Sequence, residues 1–123
     1  MTGQRRILVA DDDADILALV KAVLERSGHE VVAVTDGAEA LASLRMQRPD
    51  LAVLDITMPN VDGLEVLRRL RADAETISLP VVLLSAQAQE ADVREGFATG
   101  ASAYVKKPFS PRELAARVAE LLP

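Results

Sequence analysis

The chain contains no cysteine or tryptophan, and its aromatic residues are one tyrosine and two phenylalanines. Without cysteine, disulfides, thiolate metal sites and cysteine nucleophiles are excluded. So few aromatic rings cannot form a platform for stacked bases. Basic residues (14) are outnumbered by acidic ones (19), giving a net charge of −5, so we expect no direct binding to nucleic acid. The first apolar run, residues 7–10, is interrupted by Asp11, which predicts neither a signal peptide nor a membrane span and favours a cytoplasmic protein.

The length and the apolar content predict a single domain over residues 1–123. Short runs of Val, Ile and Leu alternate with segments of helical period, as in parallel sheets whose strands are connected by helices. The predicted strands are residues 6–10, 30–34, 51–54, 81–84 and 103–106. The pattern therefore indicates an α/β fold of the (βα)5 type, a doubly wound parallel five-stranded sheet with right-handed crossovers.

Apolar residues at helical spacing mark the connecting helices. The first carries a stripe at Ile16, Val20, Val23 and Leu24 and ends at Gly28, and the others are predicted over residues 38–48, around 64–70, over 90–99 and around 114–122. The fourth helix offers only Val93 and Phe97 as large apolar anchors. We therefore expect it to be held least firmly against the sheet.

Polar side chains follow four of the predicted strands. Ligands bind beyond the carboxyl ends of the strands in an open parallel sheet, so these side chains should meet at one edge. They are Asp11, Asp12, Asp13 and Asp15 after the first strand, Asp55 after the third, Ser85 after the fourth and Lys107 after the fifth. The acidic run could simply cap a helix, but one Asp suffices for that purpose. Clustered carboxylates repel one another unless a cation lies between them, and hard oxygen ligands favour Mg²⁺.

Asp55 is the candidate nucleophile. It ends an apolar strand and precedes a loop rich in Pro, Asn, Asp and Gly. A carboxylate beside a metal can attack phosphorus and form an aspartyl phosphate. Helix capping is the alternative role, although Asp62 already stands at the expected helix start. Lys107 is either a solvated residue of a Lys-Lys pair or a positive charge directed at a phosphoryl group.

Four segments together resemble the signature blocks of bacterial two-component response-regulator receiver domains, of which chemotaxis receivers are examples. They are residues 7–13 (ILVADDD), 54–63 (LDITMPNVDG), 79–86 (LPVVLLSA) and 100–109 (GASAYVKKPF). The resemblance implies a flavodoxin-like fold with strand order 2-1-3-4-5. It also implies a phosphorylation-dependent signalling switch rather than a conventional enzyme.

The resemblance further assigns roles to the site residues. Asp55 is implied to be the phosphoacceptor and, with Asp12 and the backbone carbonyl of Thr57, a direct Mg²⁺ ligand, while Asp11 acts mainly through metal-bound water. Ser85 and Lys107 are implied to contact phosphoryl oxygens, and the Lys107–Pro108 peptide bond is implied to be cis, which proline makes accessible.

The resemblance implies a sensor histidine kinase or phosphotransfer protein as the phosphoryl donor and an output domain or protein that the sequence does not name. On phosphorylation, Ser85 would move toward the new group and Tyr104 would turn inward, changing the face formed by helix 4, strand 5 and helix 5. The receiver is expected to catalyse its own phosphorylation and slow dephosphorylation, with Thr57 and Gln87 setting the phosphoryl lifetime. It is expected to be a monomer or a weak phosphorylation-dependent dimer.

Three other interpretations remain open. A phosphatase using Asp55 commonly needs a second acid two residues later, where this chain has Thr57. A flavin or nucleotide binder of similar fold would need a Gly-rich loop after the first strand, and that loop is absent from the sequence. A receiver that signals without phosphate is the third interpretation.

Overall fold

The computed structural model describes residues 4–86 and 90–122. Strands and helices alternate along the chain. The strands are β1 (Arg6–Ala10), β2 (Glu30–Val34), β3 (Leu51–Asp55), β4 (Val81–Ser85) and β5 (Ala103–Lys106). The helices are α1 (Ala14–Arg26), α2 (Gly37–Gln47), α3 (Gly63–Ala72), α4 (Glu90–Thr99) and α5 (Pro111–Leu121). The predicted (βα)5 pattern is confirmed, and β3 and β4 each include one residue more than predicted, Asp55 and Ser85.

The five strands form one parallel sheet in the order β2-β1-β3-β4-β5, as the resemblance implied. The registers pair Ala10 with Leu54, Asp55 with Leu84, and Ser85 with Lys106. The polar residues that end or follow β1, β3, β4 and β5 therefore lie along one edge of the sheet. This alignment is what builds the site described below.

The sheet separates two apolar clusters. Alternate side chains of each strand point to opposite faces, so Leu8 joins one cluster while Ile7 and Val9 join the other. The first cluster packs against α2 and α3, and the second against α1 and α5. Every residue of β3 and β4 is buried, which explains why their sequences are almost continuously apolar.

Side-chain caps fix the starts of four helices. The carboxylates of Asp13, Asp36 and Asp62 and the hydroxyl of Ser110 accept hydrogen bonds from backbone N–H groups in the first turns of α1, α2, α3 and α5. Helix α2 ends at Gln47, one residue earlier than predicted, because Arg48 adopts a left-handed conformation (φ 47°) before Pro49. No helix within the described ranges has the length and hydropathy needed to span a membrane.

Helix α4 is held differently from the other helices, and the prediction that Phe97 anchors it is wrong. Phe97 is 45% exposed, and the residue that packs closely against the sheet is Gly96, where a Cβ atom would collide with Leu83. Polar contacts from α3 supplement this packing. Arg68 pairs with Glu95 at 2.8 Å, and Arg71 donates two hydrogen bonds to the Gly100 carbonyl. The expectation of weak apolar attachment is consistent with this arrangement.

Candidate functional site

Two residues of the acidic run after β1, Asp11 and Asp13, lie in different surroundings. Asp13 is the N-cap of α1, since its Oδ1 accepts hydrogen bonds from the N–H groups of Asp15 and Ile16. Asp11 instead lies fully buried at the end of β1, with its N–H bonded to the Val34 carbonyl and its Oδ1 accepting from the Asp13 N–H. The two interpretations of this run, capping and cation binding, are therefore compatible, because Asp13 is the cap and the carboxylate of Asp11 is not needed for capping.

Lys107 lies between the carboxylates of two strands. Its ammonium nitrogen is 3.0 Å from Asp11 Oδ2 and 3.3 Å from Asp55 Oδ2. The contact with Asp11 is an ion pair, and Asp11 Oδ2 is a buried oxygen with no further polar partner among the described residues. The Lys107 backbone N–H donates to the Ser85 carbonyl at 2.7 Å, and the Lys107–Pro108 peptide bond is cis, as the resemblance implied.

The surroundings of Asp55 make its ionisation less favourable than that of a carboxylate in water. Burial and the neighbouring Asp11 carboxylate raise the pKa of Asp55 from 3.8 to about 7, although Lys107 opposes the rise. Burial alone would lower the pKa of Lys107, but the two carboxylates outweigh that effect and raise it. Lys107 therefore stays charged while the cluster carries more negative charge than one ammonium group balances.

Asp11, Asp12 and Asp55 could hold a metal ion together. Each offers a carboxylate oxygen, and these oxygens lie within 4.8 Å of one another. The donor set is entirely oxygen, which suits a hard divalent cation. Asp11 and Asp55 are buried whereas Asp12 is exposed, so the group is open to solvent on one side. The predicted convergence of acids from β1 and β3 is confirmed.

The loop between β3 and α3 is folded tightly around Asp55. The Thr57 N–H lies 3.3 Å from Asp55 Oδ1, and the Gly63 N–H donates to the Ile56 carbonyl. Asn60 adopts a left-handed conformation (φ 68°), which Asn tolerates better than most residues. A Cβ atom at Gly63 would collide with the Asp55 carbonyl oxygen. Sequence reasoning treated Gly63 only as a turn residue and missed this close packing, which depends on contacts across the loop.

Ser85 and Tyr104 both line a hollow of about 280 Å³, which Val93 of α4 also lines. Ser85 is buried at the end of β4, whereas Tyr104 is 41% exposed. The Tyr104 ring packs edge to face against Phe97, with ring centroids 5.7 Å apart. This pairing was not predicted, since it depends on how α4 packs beside β5. Gln87, the other expected modulator, lies outside the described residues.

A family model for the response regulator receiver domain matches residues 7–119. The chain belongs to this receiver-domain family. It is therefore a receiver of the two-component response-regulator type, a phosphorylation-dependent switch rather than a conventional enzyme.

Curated relatives support the same conclusion. The chain is 43% identical over 118 residues to the alkaline phosphatase synthesis transcriptional regulatory protein PhoP of Bacillus subtilis, covering 96% of this chain and 48% of that protein. It is 43% identical over 117 residues to the DNA-binding response regulator MtrA of Mycobacterium tuberculosis, covering 95% and 50%. The receiver chain thus spans about half the length of these relatives.

Solved structures show the same fold. The chemotaxis response regulator CheY4 of Vibrio cholerae superposes with a TM-score of 0.91 at 30% identity, over 98% of this chain and 100% of that one. The receiver domain of the Francisella response regulator 1452 superposes with a TM-score of 0.87 at 37% identity, over 96% of both chains. The predicted family and fold are confirmed.

Proposed function

We propose that Asp55 is the phosphoacceptor of this receiver. The observation that supports this most directly is the position of its carboxylate, 3.3 Å from the Lys107 ammonium at the end of a buried strand. Attack of an Asp55 oxygen on the phosphorus of a phosphohistidine forms an O–P bond and breaks the P–N bond. The imidazole leaves and takes up a proton. Lys107 neutralises charge that develops on the phosphoryl oxygens, and fixed positioning supplies much of the rate.

We propose Mg²⁺ as the ion held by Asp11, Asp12 and Asp55, with the Thr57 carbonyl as a further ligand. The fit rests on three converging carboxylates, for which Lys107 is the neighbouring cation, and on the buried Asp11 Oδ2, which has no polar partner besides Lys107 in the part of the chain that the structure describes. When bound, the ion supplies positive charge that offsets repulsion between the carboxylates and the incoming phosphoryl group. Of the three acids, Asp12 is the most accessible to solvent, whereas Asp11 also fixes Lys107.

Ser85 and Tyr104 are the proposed switch residues. A phosphoryl group on Asp55 adds nearly two negative charges and strong acceptor oxygens, which would attract the Ser85 hydroxyl. The hollow that Ser85 and Tyr104 line offers space into which the tyrosine ring could turn. That movement would separate Tyr104 from Phe97 and change the face formed by α4, β5 and α5. Phosphorylation then shifts the populations of two conformations rather than creating a new one.

The proposed domain extent, location, partners and oligomeric state rest on the sequence. We propose that residues 1–123 form one receiver unit in the cytoplasm, phosphorylated by a sensor histidine kinase or a phosphotransfer protein. Its output partner is a domain or protein recognised by the switched face. The receiver itself would not contact nucleic acid or membrane, in keeping with its net charge of −5. A monomer or a weak phosphorylation-dependent dimer is the expected state.

The phosphoacceptor assignment is tested by labelling with phosphoramidate or acetyl phosphate in the presence of Mg²⁺, read by intact mass. The parent chain should gain one phosphoryl group, and Asp55→Asn should gain none. Asp62→Asn is the matched control, because Asp62 is an exposed cap that Asn can replace. Labelling of Asp55→Asn at the parent rate would refute the assignment. Exchange of Thr57 or Gln87 should alter the dephosphorylation rate, and an unchanged rate would remove them as lifetime determinants.

A further inference from the structure

A second cavity lies away from the carboxylate cluster, between the C-terminal ends of α2 and α3 and the loop that leads into β4. Its volume is about 340 Å³. Leu41, Leu44, Leu70 and Leu79 supply its apolar surface, and Arg45 and Arg48 stand at its α2 side. None of these six residues has a role in the proposed phosphoryl transfer. The volume falls in the range of small-molecule sites, roughly 300–1,000 Å³.

Arg45 of α2 and Arg48, which follows the helix, are available to a ligand. Neither Arg45 nor Arg48 forms an ion pair with any residue of the described ranges. Arg69, which also lines the cavity, is by contrast paired with Glu65 at 2.9 Å. Arg48 stands in the left-handed conformation after α2 (φ 47°), a position that Gly or Asn usually occupies. Two unpaired guanidinium groups therefore flank an apolar hollow in a chain of net negative charge.

We propose that this cavity binds a small organic anion with an apolar body, such as a medium-chain carboxylate. The leucine side chains would contact the body, and Arg45 and Arg48 would contact the anionic head by charge-assisted hydrogen bonds. Asp73 and Glu75, which follow α3, also line the cavity, and Asp73 Oδ1 already accepts a hydrogen bond from the Glu75 N–H. The arrangement therefore places the head on the α2 side and disfavours a ligand with two anionic ends.

The test uses the intact chain and the probe 8-anilinonaphthalene-1-sulfonate, which has an aromatic body and one sulfonate group. Fluorescence titration should show saturable binding to a single site. The double variant Arg45→Gln/Arg48→Gln should bind about ten-fold more weakly, the loss expected for two partly exposed charge contacts. The control is Arg26→Gln/Arg112→Gln, since both residues are exposed arginines distant from the cavity. Equal weakening by the two double variants would overturn the proposal.

Competition identifies the class of ligand. Octanoate should displace the probe, whereas octylamine, with the opposite charge, and acetate, without the apolar body, should not. Amide shifts on adding octanoate should centre on Leu41 and Leu79. Displacement by octylamine as efficient as that by octanoate, or shifts centred on Asp55, would contradict the proposal. Binding should persist in Asp55→Asn, so failure here is distinguishable from failure of the phosphoacceptor assignment.

Discussion

Replacing Asp55 by Asn should stabilise the metal-free protein at neutral and alkaline pH. The Asp55 carboxylate is buried beside Asp11, and its pKa is raised from 3.8 to about 7. Keeping it ionised above that pH therefore costs folding free energy. Asn has nearly the same shape, and its side-chain oxygen can still accept from the Thr57 N–H. Lys107 loses one partner but keeps Asp11.

The size of the effect follows from the change in pKa between the unfolded and folded states. A rise from 3.8 to about 7 corresponds to about 4 kcal/mol at a pH above both values. Relaxation of the cluster, water entering it and the weakened interaction with Lys107 reduce this figure. We expect Asp55→Asn to increase the free energy of unfolding by about 2 to 4 kcal/mol at pH 8.

The pH dependence has a definite sign. Between pH 3.8 and about 7, the folded protein binds more protons at Asp55 than the unfolded chain does. This group's contribution to stability therefore falls as the pH rises through that window. Below the window Asp55 is protonated in both states. The stability difference between variant and parent should be small near pH 4, grow with pH and level off above pH 7.

Urea unfolding followed by circular dichroism, in buffer with a chelator and at several pH values, measures the difference. The control Asp62→Asn changes an exposed carboxylate in the same loop and should differ from its parent by less than about 0.5 kcal/mol. Saturating Mg²⁺ should stabilise the parent and not Asp55→Asn, by about 2.7 kcal/mol at 100 times the dissociation constant. A variant less stable than its parent at pH 8 without metal would refute the electrostatic reasoning.

Two further predictions concern local packing. Arg71→Met should remove the hydrogen bonds to the Gly100 and Thr76 carbonyls. The variant should be less stable by about 1–3 kcal/mol, and its amide hydrogens in α4 should exchange faster. Arg69→Met is the control, and equal amide exchange in the two variants would contradict the prediction. Gly63→Ala should lower the free energy of unfolding in urea by more than about 2 kcal/mol, because the new Cβ atom would collide with the Asp55 carbonyl. Gly28→Ala, where φ is 96° and no atom lies close to the new Cβ, should lower it by only about 1 kcal/mol. Equal losses in the two variants would exclude packing as the cause.

The order and boundaries of the elements were accessible from the sequence because each depends on local signals. Buried parallel strands are almost continuously apolar, and Asp62 marks a helix start that the structure confirms. The convergence of Asp11, Asp55 and Lys107 was also accessible, since the carboxyl ends of parallel strands share an edge. The strand order came from family resemblance and not from periodicity.

Other features depended on contacts between segments that the sequence does not connect. The apolar character of Phe97 suggested an anchor, but Gly96 lies at a close approach between α4 and Leu83 of the sheet, and Phe97 pairs with Tyr104 instead. The hydrogen bonds from Arg71 to Gly100 join residues 29 positions apart. Within the acidic run, Asp13 caps α1 whereas Asp11 is buried. This difference likewise could not be predicted without knowing the path of the backbone.

The separation of the apolar interior into two clusters has a mechanical consequence. Side chains on one face of the sheet touch those on the other only through strand backbones, so repacking beneath α2 and α3 need not disturb the layer beneath α1 and α5. Substitutions confined to opposite layers should combine almost additively. A change in packing on one side of the sheet should therefore reach the other side mainly through the strands themselves.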